Sequence, residues 1–364
     1  RILLSGLVFL LTFSPTPASS LEHSVSPGTT YFFTVILILM IASLALEEKI
    51  HAKKSVIVGT FAVLALLLGA FFHLLPFGPV LIPGGHEIQM PVFIPGIDWG
   101  VIAIILGSSI FVDVTSRSGL FSYIAIRLTR ASMGDPLRLL WFYGIMTVVF
   151  SALLNNVTAM IIVGSLTGVS LSKLGRSEKL LGFLVIEGLL TNIGGLLTLI
   201  SSVPNIIVGQ AAQISFMTFF FQASPYVLVA TIITIMMGAR IFGIQKLQTN
   251  EQREAAEELV AGFDPGDSIE SKGFFWFSTI MLAAFITMIA SASFLPLIKD
   301  LGMGYIALSF AILMLIRYKS EVDQFYKAID WDLIGFFMSL FVVINVLEHA
   351  KVLDLIGKGV ALLI

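Results

Sequence analysis

Ten apolar stretches of spanning or half-spanning length succeed one another along the 364 residues, near 31–46, 55–75, 99–114, 137–153, 157–172, 179–209, 224–243, 273–295, 303–317 and 331–347. A helical crossing of a bilayer core needs roughly 20 predominantly apolar residues, so a chain with this pattern folds around lipid. Lipid offers the backbone no water to bond. The stretches therefore read as helices, and none shows the alternation of a barrel strand. Composition agrees, with 57% hydrophobic and 12% charged residues, where a soluble domain carries about 25% charged. A soluble globular enzyme is excluded. The absence of Cys removes disulfide scaffolds, thiolate catalysis and Cys-ligated metals, and a net charge of −2 gives no support for nucleic-acid binding. The sequence contains no H-E-x-x-H zinc motif and no G-x-S-x-G elbow, and paired intramembrane Asp residues are missing too, so an intramembrane enzyme is not expected.

Residues 1–20 combine a basic start, an apolar run Ile2–Phe13 and a small-residue exit at Ala18–Ser20. They read as a secretory signal peptide or as a short first helix. One long polar segment, 244–272, interrupts the apolar stretches and reads as a cytoplasmic linker carrying a short helix. Lys49, Lys53 and Lys54 place the 47–54 loop inside, whereas the 76–98 loop, without Lys or Arg, lies outside. Arg117, Arg127, Arg130 and Arg138 return the chain inside, as do Lys173, Arg176 and Lys179. The pieces 137–153 and 157–172 therefore leave and re-enter the same side. They are expected to form a re-entrant helical hairpin with its tip at Leu154–Thr158, or else two complete spans.

Ile97-Asp98-Trp99 opens one apolar run and Ile329-Asp330-Trp331 opens another, 232 positions further on (97 to 329). The two triplets follow loops assigned to opposite sides, as in an inverted-repeat transporter. On this reading 31–243 is the first repeat, with scaffold helices in 31–75 and a transport part in 97–243 that holds the hairpin 137–172. The second repeat is 273–364 and is expected to be truncated, because the matching second hairpin tip would fall beyond Ile364. Asp98 and Asp330 read as helix caps.

Two apolar segments carry polar breaks. One is Ser151 through Thr158, with Asn155 and Asn156 at its centre. The other is Thr191-Asn192-Ile193-Gly194-Gly195, closely followed by Ser201-Ser202-Val203-Pro204-Asn205. Asn, Gly and Pro interrupt a helix and free backbone groups at membrane depth. Carbonyls freed at a helix C-terminus, helped by Asn and Thr oxygens, suit Na⁺, for which Asn155, Asn156 and Gly194 are the candidate ligands. Freed N–H groups at a helix N-terminus suit an anion. Glu187, one turn before Thr191 and Asn192, is the candidate proton carrier, because an ionisable side chain at membrane depth marks a functional site by default. A structural Glu bonded to a neighbouring helix is the alternative. Asp113, near a helix end, reads as interfacial.

SALLNNVTAM followed by EGLLTNIGGLLTLISSVPNIIVG resembles the ion transporter superfamily of arsenite pumps, NhaD-type antiporters and citrate/dicarboxylate permeases, whose members typically show S-A-x-x-D-N-V-T and then A-E-x-x-x-x-N-I-G-G-x-x-T-x-I-G-D-P-P-N. The resemblance implies an inverted-repeat fold with re-entrant hairpins and broken helices, an elevator-like motion and a homodimer. It places Asn155, Asn156 and Thr158 at the hairpin tip, and Asn192, Gly194 and Gly195 at the facing break that ends with Pro204 and Asn205. Asn155 and Ser202 stand where many antiporter-like members carry Asp. Neither can exchange a proton for a cation, and a neutral site repels an anion less. The expected function is therefore Na⁺- or H⁺-coupled transport of a citrate-, dicarboxylate- or sulfate-like anion across the inner (plasma) membrane, with no cofactor beyond the coupling ion. A Na⁺/H⁺ antiporter or an arsenite exporter of the same superfamily is the alternative, and an ion channel is the alternative of another class.

Overall fold

The computed structural model describes residues 25–81, 87–154, 156–292, 294–318, 322–327 and 329–361. The leader-like segment 1–20 and Asn155 lie outside the described residues. The protein is an all-α polytopic membrane protein. Eight of its described helices are long and apolar enough to cross a membrane.

In chain order the described helices of nine residues or more are α1 (Pro27–Ala45), α2 (Lys54–Phe71), α3 (Trp99–Arg117), α4 (Leu120–Ala131), α5 (Pro136–Leu153), α6 (Asn156–Lys173), α7 (Leu180–Gly194), α8 (Val203–Ala211), α9 (Phe216–Ile241), α10 (Asn250–Ala261), α11 (Lys272–Ser291), α12 (Pro296–Arg317), α13 (Trp331–His349) and α14 (Val352–Ala361). The loop after α2 carries a small antiparallel ladder, β1 (Val80–Leu81) against β2 (Glu87–Ile88), with Val80 opposite Ile88. The chain divides into two compact units. One is built from residues up to Ile102 together with Asp330 onward, the other from Ala103–Ile329.

In the first unit α2 packs along α13. Small residues at helical spacing on α2 let the two backbones approach, as lipid-embedded helix pairs require. A Cβ at Gly59 would stand 3.6 Å from Ser339 Oγ, and one at Gly69 would stand 3.1 Å from Val346 Cγ1. At one end of this seam Ser55 donates from its N–H (3.3 Å) and its hydroxyl (2.5 Å) to Asp332 Oδ1.

The second unit gathers α5, α6, α7 and α9 around the polar breaks, with α4, α10, α11 and α12 alongside. Phe111, Phe285 and Phe310 cluster where α3, α11 and α12 meet, with Phe111 and Phe285 ring centroids 4.5 Å apart. Each arm, α5 and α6, is 18 residues long, about 27 Å at 1.5 Å per residue, a length that suits a complete span as well as a re-entrant arm. The linker carries α10 and is tied to the rest of its unit. Leu247 N–H donates to the Asp135 carboxylate at 3.0 Å, Lys173 lies over the Phe263 ring at 5.0 Å, and the chain around Ala256 closes on Gly134, whose φ of +69° is open to glycine.

The repeated triplets mark a longer likeness. α3 and α13 each run 19 residues. Asp98 Oδ1 accepts the Val101 N–H at 3.0 Å and Asp330 Oδ1 accepts the Leu333 N–H at 3.0 Å, so both caps form as expected. Each helix is followed by a left-handed residue, Gly119 (φ +79°) or Lys351 (φ +59°). Each then leads into a shorter amphipathic helix, α4 or α14, at the same 232-residue offset (120 to 352). Neither of these two helices is evident from apolar runs alone.

Gly69→Leu tests the small-residue seam. The added side chain must enter space held by Val346 and Leu75, so thermal unfolding in detergent is expected to show a loss of about 1–3 kcal/mol. The same substitution at Gly78, where a Cβ meets nothing within 4 Å but φ is +148°, serves as a contrast that strains the backbone without filling the seam.

Candidate functional site

α7 stops at Gly194 and α8 starts at Val203, leaving 195–202 without regular structure in the middle of an apolar segment. Thr191, Asn192 and Gly194 are still helical, so the break falls a few residues later than the sequence reading placed it. The helix can run on because Gly195 N–H still reaches Thr191 O at 2.9 Å. Pro204 then sits in the first turn of α8, where its missing N–H costs nothing.

A buried break must satisfy its own backbone. Here side chains do so. Asn205 Nδ2 donates to the carbonyls of Gly195 and Thr198, both at 2.8 Å, and Ser201 Oγ donates to the same two at 2.7 and 2.9 Å. Thr198 Oγ1 donates across to Ala152 O at 2.5 Å, tying the break to the end of α5. Thr198, Ser201 and Asn205 are all buried. Thr198 and Ser201 were not among the candidate site residues, although Thr198 matches the Thr of the family motif and Ser201 stands in the second polar break.

The hairpin tip meets this break. Ser151, fully buried, donates to Asn156 Oδ1 at 2.9 Å and to Thr191 O at 2.6 Å. Asn156 Nδ2 reaches Asn192 Oδ1 at 3.4 Å, and Asn192 in turn donates to Gly188 O at 3.0 Å. Two glycines allow the approach. A Cβ on Gly194 would lie 2.6 Å from Val148 O, and one on Gly195 would lie 2.9 Å from Asn156 Nδ2. Ser151, Asn156, Thr191, Asn192, Gly194, Gly195 and Asn205 are thus brought together in one network, with Thr158 on the first turn of α6 and Pro204 on that of α8. The junction joins the C-terminal ends of α5 and α7 to the N-terminal ends of α6 and α8. Carbonyl and amide oxygens suited to a cation and N–H groups suited to an anion therefore occur at one place.

Glu187 lies one turn below, fully buried. Its Oε1 accepts from Thr167 Oγ1 of α6 at 2.7 Å, while Oε2 has no partner among the described residues. Glu187 shares the buried face with Thr191, whose hydroxyl donates to Glu187 O at 3.0 Å, but Asn192 is on the exposed side. The carboxyl therefore faces α6 and not the tip. Asp113 pairs with Arg117 at 3.1 Å, at a helix end, in keeping with an interfacial place.

Two sets of variants probe this geometry. Gly194→Ala forces a methyl against the α5 backbone and is expected to lower the melting temperature; Gly188→Ala, where a Cβ meets nothing within 4 Å, should leave it unchanged. Thr167→Val strands both oxygens of Glu187 and should cost about 2 kcal/mol in thermal unfolding. Adding Glu187→Leu to it should restore most of that loss, because an apolar pair leaves no buried polar atom unmade.

A family model described as "Citrate transporter" matches residues 62–364. An uncharacterized transporter of Mycobacterium tuberculosis is 30% identical over 269 residues, covering 72% of this chain and 59% of the relative. One from Mycobacterium bovis is 26% identical over 264 residues with the same coverage. The P protein of Mus musculus is 23% identical over 425 residues, covering 95% of this chain and 50% of its own length. The chain thus spans between half and three-fifths of these relatives. With most of its length matched by the family model and both polar breaks inside that match, the chain belongs to the citrate transporter family.

Proposed function

We propose that this chain forms part of a secondary transporter of the inner (plasma) membrane. It moves a small organic or inorganic anion of the citrate, dicarboxylate or sulfate type by alternating access, coupled to Na⁺ or H⁺. The observation that carries this reading is the hairpin tip stitched to the broken helix α7–α8 through Ser151, Asn156 and Thr191. A passive bundle has no need of eight irregular residues inside an apolar segment, and transporters place such breaks where ions bind. Asn156 and Asn192 offer neutral oxygens to a cation, and the N-terminal ends of α6 and α8 offer N–H groups to an anion. The charge of each bound ion then offsets the other. The family's description as a citrate transporter supports a carboxylate cargo. The matched offset of α3–α4 and α13–α14 supports a repeat, and the opposite charge bias of the loops ahead of the two supports its inversion. By the same family resemblance the working unit is a homodimer.

The test uses the full-length protein in proteoliposomes with an internal pH dye, under an imposed Na⁺ gradient, with and without citrate, succinate or sulfate. Uptake of one labelled anion that requires the Na⁺ or H⁺ gradient is expected. Asn156→Ala should lower it by on the order of tenfold or more, the worth of one lost polar contact in a buried site. A pH change driven by Na⁺ alone, and abolished by Glu187→Gln, would instead establish cation/proton exchange and overturn the anion reading.

A further inference from the structure

A groove of about 520 Å³ lies away from the polar breaks, between the first turns of α5 and the last turns of α9. Its walls are Leu137 and Trp141 from α5, Met236, Ala239 and Arg240 from α9, and Ile244 and Lys246 from the segment that follows. The apolar side chains line one part, and Arg240 and Lys246, both exposed, stand at the other. No carboxylate lines it, and neither cation forms an ion pair among the described residues. The segment is held in place from behind. Lys179 Nζ donates to Gly243 O at 3.5 Å, and a Cβ on Gly182 would meet Phe242 Cβ at 2.8 Å. This end of the unit carries Lys173, Arg176 and Lys179, which the charge bias assigns to the cytoplasm.

We propose that this groove binds one anionic phospholipid of the cytoplasmic leaflet, its phosphate between Arg240 and Lys246 and its acyl chain along Trp141 and Met236. Basic pockets between membrane helices on the cytoplasmic side recognise acidic headgroups by charge, and a Trp at that depth matches the headgroup boundary. Two unpaired cations beside an apolar wall complement one molecule that carries a phosphate and a hydrocarbon chain together. A free phosphate uses only half of such a surface. Because α5 and α9 also carry and flank the breaks, the lipid is placed to bear on the packing of the same helices.

The groove is tested with full-length protein in which Trp141 is the one Trp kept, with Trp99, Trp276, Trp331 and any Trp outside these 364 residues replaced by Phe, in nanodiscs that contain brominated lipid. Brominated phosphatidylglycerol is expected to quench Trp141 at much lower mole fraction than brominated phosphatidylcholine. Arg240→Gln with Lys246→Gln should reduce that preference by on the order of tenfold or more, from two lost contacts to an anionic lipid, while Arg240→Lys should retain most of it. Circular dichroism establishes that each variant is folded. Equal quenching by the two lipids, or a preference that survives the double substitution, overturns the proposal. Relief of quenching by millimolar inorganic phosphate or glycerol phosphate would assign the cations to a free anion and overturn the lipid. The readout involves no transport, so failure of the groove and failure of the transport reading are separable.

Discussion

A helix that stops inside a bilayer leaves carbonyls and N–H groups with no water to receive them, at a cost of several kcal/mol each if they stay unpaired. Segment 195–202 is where this protein meets that constraint, and the surrounding structure follows from it. Asn205 and Ser201 close the carbonyls of Gly195 and Thr198, and Thr198 and Ser151 fasten the break to α5 and the hairpin tip. The glycines at 194 and 195 are there because the fastening brings α5 and Asn156 too close for any side chain. Asn156 and Asn192 join the same network, each oxygen accepting one hydrogen bond and keeping a second lone pair.

Glu187 shows a different economy. It is buried without a cationic partner, with one oxygen bonded to Thr167 and the other unmatched. A buried carboxyl half-satisfied in one conformation is suited to a protein that has another, in which the second oxygen finds a partner or a proton. Thr191 stands between it and the break, donating its hydroxyl to Glu187 O and accepting from Ser151 at its own carbonyl.

The breaks, the spans and both Asp caps were legible in the sequence, because each rests on local chemistry: Gly, Pro and Asn in an apolar run, apolar length, and Asp three residues ahead of an N–H. What was not legible depends on tertiary contact. α4 and α14 are too short and too mixed to stand out as apolar runs, and they become clear only beside one another at a shared offset. The linker looked like a spacer because its charge faces outward, whereas its hold on Asp135, Gly134 and Lys173 is made by backbone groups and single side chains scattered through it. Glu187 stands one turn before both Thr191 and Asn192, and spacing alone does not say which of them it sides with. A residue step of 100° separates those two, and the carboxyl follows the buried one.

These 364 residues contain no Cys, so a thiol can be introduced into them at will, with any Cys elsewhere in the full-length protein replaced by Ser. Asn192→Cys places the thiol at the exposed edge of the tip-and-break junction, and Glu258→Cys places one on the exposed face of α10, outside the spanning helices. The rate of thiol labelling is measured in membranes with citrate, succinate or sulfate, each with Na⁺ or at acid pH. Binding at the junction predicts that at least one of these anions slows labelling at position 192 and leaves position 258 unchanged. Equal rates at position 192 under every condition in which the protein transports the anion would place the binding site elsewhere.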